Sequence, residues 1–140
     1  MKVKDIMTAS PASCTEDTPL QEIARTMVGR DCGSVPVVRG GRTLAGIITD
    51  RDVVIRAVAE GRNPLTLKAK DCMTSPAISI GEDASLNECT DLMESNKIRR
   101  MPVVDKSGAL VGIVAQADVA RHASQKEAGE LVRDVSAPGR

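Results

Sequence analysis

The sequence contains no phenylalanine, tryptophan or tyrosine. Its interior must therefore be assembled from Val, Ile, Leu, Met and Ala. No base can stack on an aromatic platform, which removes the usual means of holding single-stranded nucleic acid, although a purine can still lie between aliphatic side chains. Neither sign of charge is in excess: 19 Lys plus Arg balance 19 Asp plus Glu, for a formal net charge of +0. No long-range field thus draws the chain to nucleic acid or to an anionic membrane. No run approaches the roughly 18 apolar residues that a membrane span needs. Lys2, Lys4 and Asp5 interrupt the N-terminus as a secretory signal. The expectation is a cytoplasmic protein with neither a nucleic-acid nor a membrane partner.

Other shortages narrow the chemistry. His122 is the one histidine, and with no Cys or acid at ligand spacing it reads as a surface or helix-end residue rather than a metal ligand. Cys14, Cys32, Cys72 and Cys89 lie far apart and form no C-x-x-C pair. They read as reduced, mostly buried thiols, a disulfide framework being the alternative for an exported chain. A nucleophile–base pair, a metal cluster and a G-x-x-x-x-G-K phosphate loop are also missing, so no catalytic or metal residues are expected.

What is present is a duplication. Lys4-Asp5-Ile6-Met7-Thr8 returns as Lys70-Asp71-Cys72-Met73-Thr74, Pro36-Val37-Val38 as Pro102-Val103-Val104, and Leu44-Ala45-Gly46-Ile47-Ile48 as Leu110-Val111-Gly112-Ile113-Val114. From Glu16/Glu82 to Val53/Val119 the register is unbroken. Two similar units related by a pseudo-twofold axis follow. Each half, at about 60 residues, is marginal for independent stability, so the halves are expected to share a core.

Each half reads as strand, helix, strand, strand, helix. Ala12-Ser13-Cys14-Thr15 is a short strand. Thr18-Pro19-Leu20-Gln21 reads as a helix start with Thr18 as N-cap and Pro19 at the first helical position. Leu20, Ile23, Ala24, Met27 and Val28 fall on one face, and Gly29 and Gly33 bracket the exit. Val35-Pro36-Val37-Val38 and Leu44 to Ile48 flank Arg39-Gly40-Gly41-Arg42, a hairpin signal. Thr49-Asp50-Arg51-Asp52 opens a helix that runs to about Glu60 and stops at Gly61, burying Val53 or Val54, Ala57 and Val58. The second half repeats this, with Leu86, Cys89 and Met93 on its first helix and a hairpin from Arg100 to Asp105 and Leu110 to Ala115 that turns at Lys106-Ser107-Gly108. Met7, Met27, Met73 and Met93 read as adaptable core filler. The division is repeat 1 at 1–61, a linker at 62–69, repeat 2 at 70–123 and a C-terminal extension at 124–140. Within that extension, Glu127 to Val135 reads as a weakly amphipathic helix and Ala137-Pro138-Gly139-Arg140 as a frayed end.

A twice-repeated β-α-β-β-α unit with Met-Thr near its start, Pro-Val-Val in the second strand and Gly46-Ile47-Ile48-Thr49-Asp50-Arg51-Asp52 closing the third resembles the cystathionine-β-synthase (CBS) domain pair, from about Val3 to His122. The Thr49 to Ile55 run and the Ala120-Arg121-His122 ending are similar to the small stand-alone bacterial CBS-pair proteins. The resemblance implies an α/β (α+β) fold of two CBS repeats packed with pseudo-twofold symmetry, a Bateman module. It implies a regulatory module rather than an enzyme, with no required cofactor. AMP, ADP, ATP or S-adenosylmethionine would act as effector in clefts between the repeats, and a homodimer would meet an unknown protein partner. By the family motif, Thr49 and Asp52 serve one cleft with Pro76, Ala77 and Ile78, and Asp118, beside Ala115, serves the other with Pro11, Ala12 and Ser13.

The chemistry suits such a ligand. A carboxylate accepts hydrogen bonds from both hydroxyls of a ribose, and charged acceptors strengthen them. The carboxylate repels phosphate, so a phosphorylated ligand also needs a basic partner, for which Arg99 and Arg100 are the candidates. Their counterparts in repeat 1 are Gly33 and Ser34, which makes the two clefts chemically unequal. Each residue has a plainer role as well. Thr49, Asp50, Asp52 and Asp118 suit a helix's first turn as caps and dipole partners, and Arg99-Arg100 suits a solvated edge or a dimer ion pair. A ligand-independent dimerisation or scaffold module is therefore the alternative function.

Overall fold

The two β-branched runs of each repeat, interrupted by Gly-containing turns, form hairpins. The computed structural model describes residues 1–122 and 131–136. In repeat 1, β3 (Ser34–Arg39) pairs antiparallel with β4 (Thr43–Thr49), and β2 (Cys14–Thr15) adds parallel to β3. In repeat 2, β6 (Arg100–Val104) pairs antiparallel with β7 (Leu110–Ala115), and β5 (Ile80–Gly81) lies parallel to β6. Both hairpins shift register at the same repeat position, between Val37 and Val38 and between Val103 and Val104. The second turn is built by Asp105, whose Oδ1 accepts from the Ser107 N–H at 2.9 Å and the Ala109 N–H at 3.1 Å. Gly108 supplies the positive φ of +86°. The Ser107 hydroxyl and these backbone donors hold the Asp105 carboxyl below its ordinary range.

A helix follows the first strand of each repeat: α1 (Leu20–Arg30) and α4 (Leu86–Asn96). The start of α1 differs from the sequence expectation. Pro19, not Thr18, occupies the N-cap, because the Thr18 hydroxyl is turned to the Thr15 N–H at 2.9 Å. The helix also continues through Gly29 and ends at Asp31, in the left-handed region with φ 50°. Lys97 does the same after α4 with φ 52°. On α1, Leu20 and Ile23 are buried and Met27 packs partly against them, whereas Ala24 is exposed and Val28 is 83% exposed. The closing helix α2 (Asp50–Val53) widens into a π-helical turn at Val54–Val58. This wider spiral rotates the expected face: Ala57 is fully buried, but Val54 and Val58 are exposed. In repeat 2 the counterpart is α5 (Gln116–His122), and α4 buries Cys89 and Met93 as its spacing indicates. Residues 131–135 are helical, with Leu131 and Val135 buried. Glu127 to Glu130 and Ala137 to Arg140 lie outside the described residues.

The compact units are bounded differently from the sequence repeats. One unit is Ala12–Ala77; the other combines Met1–Pro11 with residues from Ile78 onward. The leading Lys-Asp-x-Met-Thr segment of each repeat thus folds onto the body of the other repeat. In the Ala12–Ala77 unit, α3 (Ala69–Cys72) is tied by the Ala69 N–H to the Thr18 carbonyl at 2.9 Å and by the Lys70 N–H to the Glu16 carbonyl at 3.0 Å. In the other unit, the 3-10 turn Val3–Asp5 makes the equivalent bonds, from the Val3 N–H to the Ala84 carbonyl and from the Lys4 N–H to the Glu82 carbonyl. Strand β1 (Thr8–Ala9) then extends this unit's sheet to the order β1-β7-β6-β5.

Each unit has its own hydrophobic cluster, and each cluster includes its adopted segment. Leu67, Ala69 and Cys72 pack with Leu20, Ile23, Val35, Val37 and Ile48; Val3 and Ile6 pack with Met93, Met101, Val103 and Val114. Ion pairs at equivalent positions mark both edges, Lys70 with Asp17 at 3.1 Å and Lys4 with Asp83 at 3.0 Å. These lysines hold both carboxyls below their ordinary range. The pairs are solvent-exposed, so apolar burial and backbone bonds fix the segments more than charge does. All four cysteines are free; burial pushes the Cys14 and Cys89 thiols up to about 11.

The tightest point of each arrangement is a glycine. A Cβ on Gly46 would stand 2.6 Å from the Thr74 carbonyl oxygen, a backbone atom that cannot rotate away. Gly46→Ala is expected to destabilise the protein by about 1–3 kcal/mol, while Gly29→Ala, in open space on α1, leaves stability equal or raised. Urea unfolding midpoints of the two variants check this.

Candidate functional site

The strand-to-helix junction of repeat 1 is a capping box. The Thr49 hydroxyl accepts from the Asp52 N–H at 3.1 Å, and Asp52 Oδ2 accepts from the Thr49 N–H at 2.9 Å. Asp52 is 8% exposed. Its other oxygen, Oδ1, accepts from the Thr74 hydroxyl at 3.3 Å. Thr74 belongs to the adopted segment, held along β4 by two backbone bonds between Ile47 and Thr74 (2.8 and 3.0 Å) and by the Ser75 hydroxyl donating to the Ala45 carbonyl at 2.8 Å. Arg56, from the π turn, donates to the Met73 carbonyl at 2.6 Å and the Cys72 carbonyl at 3.2 Å. Asp52 is therefore a buried acid oriented from two directions, and its remaining lone pairs can accept further bonds. Ser34, whose Cα pairs across the sheet with Thr49, carries a buried hydroxyl with no hydrogen-bond partner. Asp50 is exposed, and its carboxylate covers Gly33.

The junction of repeat 2 keeps half of this arrangement. Asp118 Oδ2 accepts from the Ala115 N–H at 2.8 Å, but Ala115 has no hydroxyl to return the bond. Asp118 Oδ1 lies 3.7 Å from Arg121 Nη1. Arg100 pairs across the hairpin with Ala115, and the Arg99 carbonyl accepts from the Gln116 N–H at 2.7 Å. Arg99 and Arg100 are both exposed and thus stand at the same edge as Asp118. His122, at the end of α5, bonds through Nδ1 to the Asp118 carbonyl at 2.9 Å.

Of the other sequence-derived candidates, Ala12, Ser13, Pro76 and Ala77 belong to the same unit as Thr49 and Asp52. Pro11 and Ile78 belong to the unit that carries Asp118, Arg99 and Arg100, and Ile78 is 40% exposed. The unit boundaries fall within both edge triplets, Pro11-Ala12-Ser13 and Pro76-Ala77-Ile78. Sequence reasoning missed Thr74 and Ser34. The Met-Thr repeat marks Thr74, but its bond to Asp52 depends on the exchanged segment. A shallow depression of about 380 Å³ among Glu16, Asp17, Arg39 and Lys70 does not include Thr49 or Asp52. Its charges are already matched in pairs, Arg39 with Glu16 and Lys70 with Asp17.

Comparison with known proteins gives this geometry a context. The CBS domain profile matches residues 3–58 and 69–125. The chain belongs to the CBS domain family. As a CBS pair it is 41% identical over 137 residues to uncharacterized protein YlbB of Bacillus subtilis, covering 96% of this chain and 91% of that one. It is 33% identical over 135 residues to hypoxic response protein 1 of Mycobacterium tuberculosis, covering 96% and 94%. The fold is similar to a crystal structure of hypoxic response protein I with two coordinated zinc ions, with TM-score 0.81, 35% identity and coverage of 89% and 100%. It is also similar to the CBS domain pair of protein MJ0100 in complex with 5′-methylthioadenosine and S-adenosylmethionine (TM-score 0.77, 28% identity, 87% and 94% covered). A third similar structure is CBSX2 of Arabidopsis thaliana in complex with AMP (TM-score 0.76, 25% identity, 86% and 94% covered).

The two CBS junctions differ by one hydroxyl in their caps. Thr49→Ala is expected to cost about 1 kcal/mol by removing the acceptor for the Asp52 N–H, and Ala115→Thr to add a few tenths to about 1 kcal/mol by completing the second box. Denaturant midpoints of both variants, without ligand, read these opposite shifts.

Proposed function

We propose that this CBS pair is a regulatory module that senses an adenosine-containing ligand (AMP, ADP, ATP or S-adenosylmethionine). In this reading, Asp52 accepts hydrogen bonds from the ribose hydroxyls, and Thr49 with Thr74 holds the carboxylate in place. Pro76 and Ala77 form the apolar edge for the base. Asp118 plays the corresponding part for a second ligand position, where Arg99 and Arg100 meet a phosphate. The observation that carries the reading is the burial and double orientation of Asp52. A carboxylate set at the base of a sheet edge with acceptor capacity left is suited to a diol. The ligands named for two structural neighbours support it. Occupancy would change how a homodimer meets a protein partner in the cytoplasm.

Zinc is not part of this proposal. Among the described residues no three His, Cys, Asp or Glu side chains gather as a ligand set.

A second reading has its own observation. Val54, Ile55, Val58 and Leu65, all in the Ala12–Ala77 unit, are between 43% and 66% exposed. Such apolar surface suits an association face, so a ligand-independent dimerisation or scaffold module keeps the same dimer with and without nucleotide. Thermal unfolding separates the two functions. At a hundredfold excess over Kd, an adenosyl ligand adds about 2.7 kcal/mol to the stability. The sensing module therefore shows a raised Tm with at least one of AMP, ADP, ATP and S-adenosylmethionine at millimolar concentration. Asp52→Ala abolishes that rise, measured from the variant's own baseline. No rise with any of the four, at constant dimer mass, contradicts the sensor and leaves the scaffold.

A further inference from the structure

The two exchanged segments cross their hairpins alike, yet the side chains at the crossing behave differently. Thr74 stands opposite Ile47 of β4, and Thr8, at the equivalent repeat position, stands opposite Ile113 of β7. The Thr74 hydroxyl reaches Asp52 Oδ1 at 3.3 Å. Thr8 is exposed and, among the described residues, donates nothing to Asp118, whose Oδ1 lies instead 3.7 Å from Arg121. The backbone crossing alone therefore does not deliver the hydroxyl to the acid. A second difference accompanies this one. The residue four places after the acid is Arg56 in repeat 1 and His122 in repeat 2. In repeat 1 the Ala59 N–H bonds to the Val54 carbonyl at 2.8 Å, the five-residue spacing of a π turn. From this turn Arg56 Nη1 donates to the Met73 carbonyl at 2.6 Å and the Cys72 carbonyl at 3.2 Å, at the end of α3. Helix α5 keeps α-helical spacing through His122, whose ring turns back to the Asp118 carbonyl. Among the described residues no side chain donates to the Ile6 or Met7 carbonyl, the equivalents in the other segment.

From this contrast we infer that Arg56 is a positioning residue for Asp52. Its guanidinium holds the two carbonyls that precede Thr74, which sets the Thr74 hydroxyl on Asp52 Oδ1 and fixes the carboxylate. A guanidinium suits the task because it stays charged and its donors are rigidly arranged, so its bonds to carbonyls are stronger than neutral ones. Without that hold the segment still crosses at Gly46, but Thr74 is as free of the acid as Thr8 is, and a ligand must order Asp52 Oδ1 at its own cost. The inference rests on the adenosyl reading proposed above for the ligand whose affinity Arg56 tunes. The hold on Thr74 belongs to the unliganded fold and is measurable without any ligand.

Two measurements on the full chain test this: isothermal titration with adenosine, AMP, ATP and S-adenosylmethionine, and amide hydrogen exchange without ligand. The variants are Arg56→Gln, Arg56→Lys, Thr74→Val, the double variant Arg56→Gln, Thr74→Val, and Arg62→Gln. Arg62 approaches the same short helix through Asp71 at 4.0 Å and serves as the control for support of α3 alone. Arg56→Gln and Thr74→Val each lower the affinity for a bound adenosyl compound by about threefold to tenfold, the scale of one hydrogen bond. The double variant loses no more than the larger single loss, because both act through one contact. Arg56→Lys, which keeps a charged donor, recovers part of the loss, and Arg62→Gln stays within about twofold. Without ligand, Arg56→Gln speeds exchange of the Thr74 and Ile47 amides, which bond to each other's carbonyls, more than that of the β3 amides, whose protection shows that the variant is folded. Losses that add in the double variant, a loss confined to the phosphorylated compounds, or an equal loss in Arg62→Gln overturns the positioning role and leaves the adenosyl reading intact. No binding of any of the four compounds to the unaltered chain overturns the adenosyl reading. The exchange rates then decide the hold on Thr74 by themselves, and an unchanged Thr74 rate in both Arg56 variants overturns it.

Discussion

At Gly46 and Gly112 the chain passes so close to the closing strand of each hairpin that only a hydrogen atom fits. The Thr74 carbonyl would meet a Cβ on Gly46; Thr8 and Met7 would meet one on Gly112. These crossings let a short segment lie flat along β4 or β7 and bury Cys72 or Ile6 in a cluster built mostly from the opposite repeat. Glycine in a strand interior usually weakens it. Here the loss is offset by the apolar burial and backbone bonds that the approach permits. Each repeat of about 60 residues has a small core, and the adopted segment enlarges it without lengthening the repeat.

The same crossing prepares the candidate site. The segment that passes Gly46 carries Thr74 to Asp52, so the acid is held both by its own helix cap and by a residue that belongs to the other repeat in sequence. In the proposed site, Asp52 combines two roles. Its cap stabilises the start of α2, and its fixed orientation leaves acceptor capacity for a ligand at little further ordering cost. Repeat 2 has relaxed this device: Ala115 returns no bond, and Asp118 turns one oxygen toward Arg121. The duplication preserves the backbone while the side chains at the two edges have diverged in hydrogen bonding and in charge.

Much of this was legible in the sequence. The β-branched runs and their glycine turns give both hairpins, and the regular register gives two copies of one fold, because those signals are local. The spacing of Thr49 and Asp52 gives the capping box for the same reason. What was illegible depends on partners distant in sequence. Thr18 fits a cap by type, but its hydroxyl finds Thr15 first. Val54 and Val58 lie at helical spacing, but the π turn rotates them outward. The exchange of leading segments leaves no periodic trace, since it is made by strands and turns of only a few residues. Thr74 consequently looked like part of a repeat motif and not like a partner of Asp52. Arg99 and Arg100 were visible as charge; only the hairpin pairing shows which acid they accompany.

The central claim is that the buried, doubly oriented Asp52 belongs to a site for an adenosyl ligand. A native mass spectrum of freshly isolated protein, repeated after adding AMP, ATP or S-adenosylmethionine, tests it most directly because it reports protein mass and retained ligand together. The account predicts a dimer mass carrying an adenosyl compound, either retained on isolation or taken up on addition, and its loss in Asp52→Ala. Bare protein in every spectrum, with no uptake of any of the three, would contradict it.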